Sequence, residues 1–88
     1  MLAPGDIAID VICEFTRDGR IIPLRIIMID EEGERQIYKV LSYREIEVIS
    51  GLKNSSNATF ECRFEVYGVL KTIKVIYFAD TRQWAYRK

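Results

Sequence analysis

The chain has 88 residues, of which 49% are hydrophobic and 30% are charged, with equal numbers of acidic and basic side chains. This length predicts a single domain over residues 1–88 with a thin core, and the hydrophobic content is too high for a disordered chain. A net charge of zero gives no overall field that attracts nucleic acid or membrane, and no apolar run approaches the length of a membrane-spanning helix.

Residues 7–30 predict two β-strands joined by Asp18-Gly19, a dipeptide typical of two-residue hairpin turns. A type I′ turn at these residues places Arg17 opposite Arg20 and sets the register. Because strand side chains alternate between the faces of a sheet, the next four alternate pairs all point to one side. These pairs are Phe15 with Ile22, Cys13 with Leu24, Val11 with Ile26, and Ile9 with Met28. We expect them to form an apolar face that requires a cover.

The third strand, over residues 34–42, follows a connection in which Gly33 occupies the position that favours a left-handed backbone. Two registers are open for this strand. A bulged turn points Gln36, Tyr38 and Val40 inward, whereas a two-residue turn points Ile37, Lys39 and Leu41 inward. We favour the bulged turn, because burial of Lys39 without a partner is costly. Pro23 in the second strand cannot donate to a ladder, so it marks an edge or a bulge.

Residues 43–49 allow two structures, a strand that continues through Ile46 and Val48 or a short helical turn. A polar connection at residues 51–57 then separates the two halves of the chain.

The alternation of apolar and polar residues is clearest in residues 58–67, and a tight turn at Tyr67-Gly68 joins them to a β-branched strand over residues 69–79. The inward side chains of the first of these strands are Phe60, Cys62, Phe64 and Val66. The predicted cross-strand pairs are Cys62 with Ile73, Phe60 with Val75, and the oppositely charged Glu61 with Lys74. After a turn at Asp80-Thr81, a last strand places Trp84 against Tyr77 and Tyr86 against Val75.

These elements predict an all-β fold, a small antiparallel six-stranded meander of about the size of an SH3 domain. A flat sheet of six strands leaves one apolar face in water, so we expect it to close into a barrel or roll.

No catalytic, cofactor or metal site is predicted, and we do not expect an enzyme. The chain has no histidine, the usual general base near neutral pH, and a closed zinc site requires four ligands. The carboxylates Glu45 and Glu47, and the acidic turn at residues 30–34, are typical of solvated surfaces, and the turn lacks the spacing of a calcium loop. Cys13 and Cys62 fall on inward strand positions and predict two buried thiols. The first ten residues lack the features of a signal peptide, so a cytoplasmic location is expected.

Charge is divided unevenly between the two halves of the chain. Residues 1–47 contain ten acidic and six basic side chains, whereas residues 48–88 contain seven basic and three acidic ones. Basic residues beside aromatic rings in a small β-barrel are typical of single-stranded nucleic-acid binding, although Glu61 and Glu65 neutralise part of this face. The candidate nucleic-acid face comprises Arg63, Lys71, Lys74, Arg87, Lys88 and Tyr67.

A protein partner, or a second copy of the chain, is the interpretation that we favour. Opposite charges on the two halves favour association, and exposed aliphatic side chains in one patch mark interfaces. The candidate interface comprises Ile12, Ile27, Ile29 and Ile76, which fall on the predicted outer face. The alternative is that the segment at residues 43–49 covers them.

Several strings in the chain resemble short, uncharacterised all-β bacterial proteins, some of them encoded near translesion DNA polymerases. These strings are Pro23-Leu24-Arg25-Ile26, Ile37-Tyr38-Lys39-Val40 after a glycine turn, and Ile76-Tyr77-Phe78 followed by Asp80 and Trp84. The resemblance implies an accessory role in DNA repair through a protein partner, with direct DNA contact as a second option. It supplies no catalytic residues, and the acidic turn at residues 30–34 departs from these proteins.

Overall fold

One antiparallel β-sheet organises the part of the chain that the structure describes. The computed structural model describes residues 5–46 and 57–87, and its strands are β1 (Asp6–Phe15), β2 (Ile21–Ile29), β3 (Arg35–Lys39), β4 (Ser42–Ile46), β5 (Ala58–Val66), β6 (Val69–Phe78) and β7 (Gln83–Arg87). Their order in the sheet is β3-β2-β1-β7-β6-β5-β4, and the sheet curls into a half-barrel. The predicted all-β, antiparallel class is confirmed, with seven strands instead of six.

The strand order is that of a meander whose first and last strands pair with each other. β1 pairs with β7, and β3 and β4 form the two ends of the strand order, with no ladder between them among the described residues. Val40 and Leu41 connect these two edge strands, and they hydrogen-bond to opposite sides of the half-barrel. The N–H of Val40 donates to the carbonyl of Leu24 in β2 at 2.9 Å, and the N–H of Leu41 donates to the carbonyl of Arg63 in β5 at 2.8 Å. The two edges are therefore held next to each other without forming a ladder.

The first two hairpins have the same turn geometry. In each, a glycine with positive φ, Gly19 or Gly33, donates its N–H to the carbonyl three residues earlier at 3.0 Å. In the first hairpin, the N–H of Thr16 also donates to the carbonyl of Arg20 at 2.9 Å. These are three-residue connections with the glycine in a left-handed bulge. The predicted type I′ turn at Asp18-Gly19 is wrong, because such a turn requires a positive φ at both residues and Asp18 lacks it.

The extra residue in this turn changes the register at the turn end of the first hairpin. Phe15 pairs with Ile21, and Cys13 with Pro23, so the predicted partners Ile22 and Leu24 are wrong. An irregularity between Ile12 and Cys13 then restores the predicted pair of Val11 with Ile26. The irregularity lies next to Pro23. Because proline has no N–H to donate, an interruption of the ladder at this position loses fewer hydrogen bonds than one elsewhere. The ladder with β2 ends at the pair of Asp10 with Ile27, and Ile9 pairs with Trp84 of β7 instead of Met28.

The other predicted registers are confirmed. β3 pairs Tyr38 with Ile26, which points Gln36, Tyr38 and Val40 inward and leaves Lys39 exposed. In the C-terminal hairpins, the predicted pairs are observed: Cys62 with Ile73, Phe60 with Val75, Glu61 with Lys74, Tyr77 with Trp84, and Val75 with Tyr86. The strand alternative is correct for residues 43–46, which form most of β4. Residues 47–49 and the predicted polar connection up to residue 56 lie outside the described residues.

Two apolar clusters lie on opposite faces of the sheet. The larger one is inside the curve and contains Ile26, Phe60, Cys62, Phe64, Val75 and Trp84. The smaller one contains Ile76, Phe78 and Ala85, whose strand positions alternate with those of the inner residues. Ile21 packs on the inner cluster in place of Ile22, and Leu24 and Phe15 are exposed, contrary to prediction. Cys62 is buried and Cys13 is half-buried, and neither forms a disulfide. No helix able to span a membrane is present in the described residues.

Candidate interaction surfaces

The structure divides the four isoleucines of the candidate interface. Ile29 is 66% exposed and Ile12 is also exposed, whereas Ile27 and Ile76 are only 6% and 4% exposed. Ile76 belongs to the smaller apolar cluster with Phe78. The expectation of one exposed patch formed by all four residues is therefore wrong. Alternation predicts which face a side chain points to, but burial depends on what packs against that face.

A different exposed set surrounds Ile12 and Ile29 on the outer side of the first three strands. Ile27 pairs with Ile37, Arg25 pairs with Lys39 and lies opposite Ile12, and Ile29 pairs with Arg35. Paired residues in a sheet share a face, so apolar and basic side chains are interleaved here. We call this surface the β1–β3 outer face. Its exposed apolar and basic members are Ile12, Arg25, Ile29, Arg35, Ile37 and Lys39, and the exposed acids Asp10 and Glu14 lie on the same side of β1.

The three cations of the β1–β3 outer face are available for a partner. The ion pairs among the described residues join Arg20 to Asp18, Arg44 to Glu61 and Arg87 to Asp6, and none includes Arg25, Arg35 or Lys39. Asp10 lies in the same cross-strand row as Ile27 and is the nearest acid in that ladder. Arg25, Arg35, Ile37 and Lys39 were not among the predicted interface residues. The favoured register of β3 already pointed Ile37 and Lys39 outward, which was the available signal.

The candidate nucleic-acid face is partly neutralised by an ordered row of charges. Arg44, Glu61, Lys74, Arg87 and Asp6 are consecutive partners across five strands. Within this row, Arg87 donates from Nε to Oδ1 and from Nη2 to Oδ2 of Asp6, at 2.9 Å and 3.0 Å. Nη2 of Arg44 lies 3.4 Å from Oε2 of Glu61. The hydrogen bonds that Arg87 donates to the Asp6 carboxylate raise the pKa of the Arg87 guanidinium.

The remaining members of the candidate nucleic-acid face are spread over the β5–β6 hairpin. Arg63 shares the face of Lys74, but Lys71 pairs with Phe64 and has the opposite strand parity. Lys88 lies outside the described residues. Tyr67 is 97% exposed at the tip of the hairpin, whereas Trp84 is buried and Tyr77 is half-buried in contact with it, with ring centroids 5.0 Å apart. The structure therefore brings together fewer cations and exposed rings than the sequence suggested.

The end of the β5–β6 hairpin projects beyond its neighbours. Among the described residues, β7 pairs with β6 from Lys74 onward, and β4 pairs with β5 as far as Arg63. The tip carries exposed Tyr67, Val69 and Leu70. Tyr67 has a φ of 51° and Gly68 a φ of 78°, which defines a type I′ turn. A bulky residue in the left-handed region is an outlier.

Burial and local hydrogen bonds shift the pKa values of two cysteines and one aspartate among the described residues. Burial raises the pKa of the Cys62 thiol to about 12 and also raises that of Cys13, so both thiols are protonated near neutral pH. Hydrogen bonds from the N–H of Glu34 and the side chain of Gln36 hold the pKa of Asp30 below its usual value. The same carboxylate accepts the N–H of Glu32 at 2.9 Å, so it organises the acidic turn. No group of three or more potential metal ligands occurs among the described residues.

Comparison of the chain with models of protein families, with curated proteins and with solved structures finds no match.

Proposed function

We propose that the protein is a non-enzymatic interaction module that binds an acidic protein partner through the β1–β3 outer face. The observation that supports this proposal is the interleaving of exposed isoleucines with three cations that have no ion-pair partner among the described residues. The isoleucines supply apolar contact area, and the cations favour a partner of opposite charge. The resemblance described above supports a partner that acts in DNA repair, and a cytoplasmic location is part of the same proposal.

A pull-down from a native cell extract with matched variants tests the proposal. Ile29→Asp places an acid beside Arg35 at one end of the face, whereas Leu70→Asp makes the same change at an exposed site on the β5–β6 hairpin. We expect the wild-type protein and Leu70→Asp to capture the same proteins after nuclease treatment. Ile29→Asp and Arg35→Glu should lose them. Capture that is unchanged in both face variants would contradict the proposal.

The same variants distinguish a second copy of the chain from a different protein. The mass of the purified protein in solution is measured by sedimentation over a dilution series. A mass that falls on dilution, and that is monomeric at all concentrations in Ile29→Asp, identifies a second copy as the occupant of the face.

Single-stranded nucleic acid is the second candidate ligand, and it is favoured by the exposed ring of Tyr67 at the tip of the β5–β6 hairpin, whose strands also carry the exposed cations Arg63 and Lys71. Rings of this kind stack on bases, and cations contact the phosphates. The test is retention of a labelled oligonucleotide at increasing salt concentration. Binding that weakens steeply with salt and is reduced by Tyr67→Ala supports this candidate, and no retention at low salt contradicts it.

A further inference from the structure

Residues 10–15 of strand β1 have a ladder partner on one side only, although β1 is a central strand of the sheet. Residues Asp6–Ile9 pair with β7, and the strand then pairs with β2 from Asp10 to Phe15. Past Ile9, no described strand pairs with the side of β1 that faces away from β2. In an antiparallel ladder, alternate residues direct their N–H and C=O groups away from the neighbouring strand. Residues 10–15 therefore offer unpaired backbone donors and acceptors, which an extended peptide is suited to satisfy.

A cavity of about 430 Å³ opens beside this edge. Its volume is within the range of small-ligand and side-chain pockets. Aromatic rings form one wall, with centroids 5.8 Å apart between Phe15 and Tyr77 and 5.0 Å apart between Tyr77 and Trp84. Phe15, one of the residues that line the cavity, is 59% exposed. The cavity is lined by Ala8, Ile9, Asp10, Val11, Cys13, Phe15, Tyr77, Arg82, Gln83 and Trp84.

A cation stands at the same cavity. Arg82 lies in the turn between β6 and β7, is exposed, and has a φ of 56°. A non-glycine residue in this region is strained, and such strain tends to occur at functional positions. No ion pair among the described residues includes Arg82. Asp10 also lines the cavity, but on the β1 side. An acid in a ligand would thus be attracted to the Arg82 end.

We infer that this edge and cavity, here called the β1 groove, bind an extended segment of a protein partner by strand addition. The backbone of the segment pairs with residues 10–15 of β1. An aromatic side chain enters the cavity beside Phe15, Tyr77 and Trp84, and an acidic side chain contacts Arg82. The inference rests on the proposed function as a protein-interaction module. It uses a separate surface, because Val11 and Cys13 point to the face opposite Ile12.

The probe is a blocked six-residue peptide in which phenylalanine and threonine alternate and an aspartate is at one end. A panel replaces the phenylalanines with leucine, valine or tryptophan. Binding is followed by the amide NMR signals of residues 10–15 and, for the members without tryptophan, by the fluorescence of Trp84, the single tryptophan of the chain. We expect at least one peptide to bind with a Kd below about 1 mM, an affinity that a short segment can supply.

Two N-methylated versions of the best peptide isolate the backbone contribution. One carries methyl groups on the odd-numbered amides and the other on the even-numbered amides, so only one of them blocks the hydrogen bonds to β1. We expect one version to lose at least tenfold in affinity and the other to bind as the parent does. Equal binding of all three peptides, or no saturable binding by any member of the panel, would overturn the inference.

Variants of the protein test the two side-chain contacts. Arg82→Asn keeps a residue that tolerates the left-handed backbone, and should weaken the aspartate peptide several-fold but not its asparagine analogue. Arg20→Asn, at another exposed turn, is the matched control and should bind as the wild type does. Phe15→Ala should weaken every member of the panel, and unchanged affinity in both groove variants would refute the assigned contacts. Peptide binding that persists in Ile29→Asp separates the β1 groove from the β1–β3 outer face.

Discussion

The type I′ turn between β5 and β6 provides the sharpest test of the backbone geometry. Tyr67 is at the first central position of this turn, with a φ of 51°. Its side chain is 97% exposed, so almost no burial is lost when the ring is removed. Asparagine is a preferred residue at this position, because its short polar side chain tolerates the left-handed backbone. Tyr67→Asn therefore changes the backbone strain and little else.

The expected effect follows from the cost of the left-handed region. For an ordinary L-residue this cost is roughly 1–2 kcal/mol, and asparagine removes part of it. We expect Tyr67→Asn to raise the free energy of unfolding by about 1 kcal/mol. For a domain of this size, such a gain corresponds to an increase in Tm of roughly 4–8 °C.

Urea and thermal denaturation, followed by circular dichroism and by the fluorescence of Trp84, measure the effect. Tyr67→Ala is the matched control, since it removes the same ring but keeps a Cβ at the same φ. We expect its stability to be within about 0.5 kcal/mol of the wild type. The dependence of the free energy on urea should be unchanged in both variants.

Two results would refute this reasoning. A loss of stability in Tyr67→Asn would mean that the tyrosine ring makes a stabilising contact. An equal gain in Tyr67→Asn and Tyr67→Ala would mean that the exposed ring, and not the backbone conformation, carries the cost.

Further predictions concern the core, the thiols and the row of charges. Phe60→Ala should lower the free energy of unfolding by about 3–5 kcal/mol in urea denaturation, because the ring is fully buried. Neither Cys13 nor Cys62 should react rapidly with a thiol reagent at pH 8 before unfolding, and both should react afterwards, because burial raises both pKa values. Stability should fall between about pH 9 and pH 12, since the folded state keeps the proton of Cys62 when the unfolded state has lost it, by at most about 1.4 kcal/mol per pH unit. Arg87→Leu should cost about 1 kcal/mol in low salt and less in high salt, because it leaves the buried side chain of Asp6 without its guanidinium partner.

The controls for these predictions separate specific effects from general destabilisation. Cys62→Ala should show a weaker loss of stability above pH 9 than the wild type, and an equal loss in both proteins would contradict the assignment to this thiol. Rapid reaction of either cysteine in the folded protein would contradict its position in the structure. If the difference in stability between the wild type and Arg87→Leu does not depend on salt, the ion pair with Asp6 is not the source of the effect.

The hairpins show how far local sequence determines register. In the β5–β6 hairpin, the turn dipeptide Tyr67-Gly68 and the alternation of apolar and polar residues in β5 indicate the same register, and the predicted pairs are the observed ones. In the first hairpin, Asp18-Gly19 fits either a two-residue turn or the end of a three-residue turn. The choice depends on Thr16, whose hydroxyl oxygen accepts the N–H of Arg20 at 2.9 Å. This contact forms only once the hairpin exists, so the dipeptide alone did not reveal it.

The candidate sites were harder to predict than the core. Alternation correctly pointed Ile12 and Ile29 outward, but it pointed Ile27 and Ile76 the same way, and these two are buried. Arg82 was not predicted as a site residue, because the role inferred for it depends on the cavity that it lines with Phe15 and Trp84. Residues from three separate strands and a turn form that cavity, and no short motif records their proximity.

The linear sequence alone determined most of the strands, most of the side chains that share a face and which charges are common in each half of the chain. These properties depend on near neighbours, through the two-residue period of a strand and the φ preference of a turn residue. Only the tertiary structure decided that β1 pairs with β7 up to Ile9 and with β2 from Asp10 onward. It also decided that β3 and β4 are separated at Val40 and Leu41, and that the smaller apolar cluster is buried. These features depend on contacts between residues far apart in the chain, and the energies of such contacts are set by packing and not by local pattern.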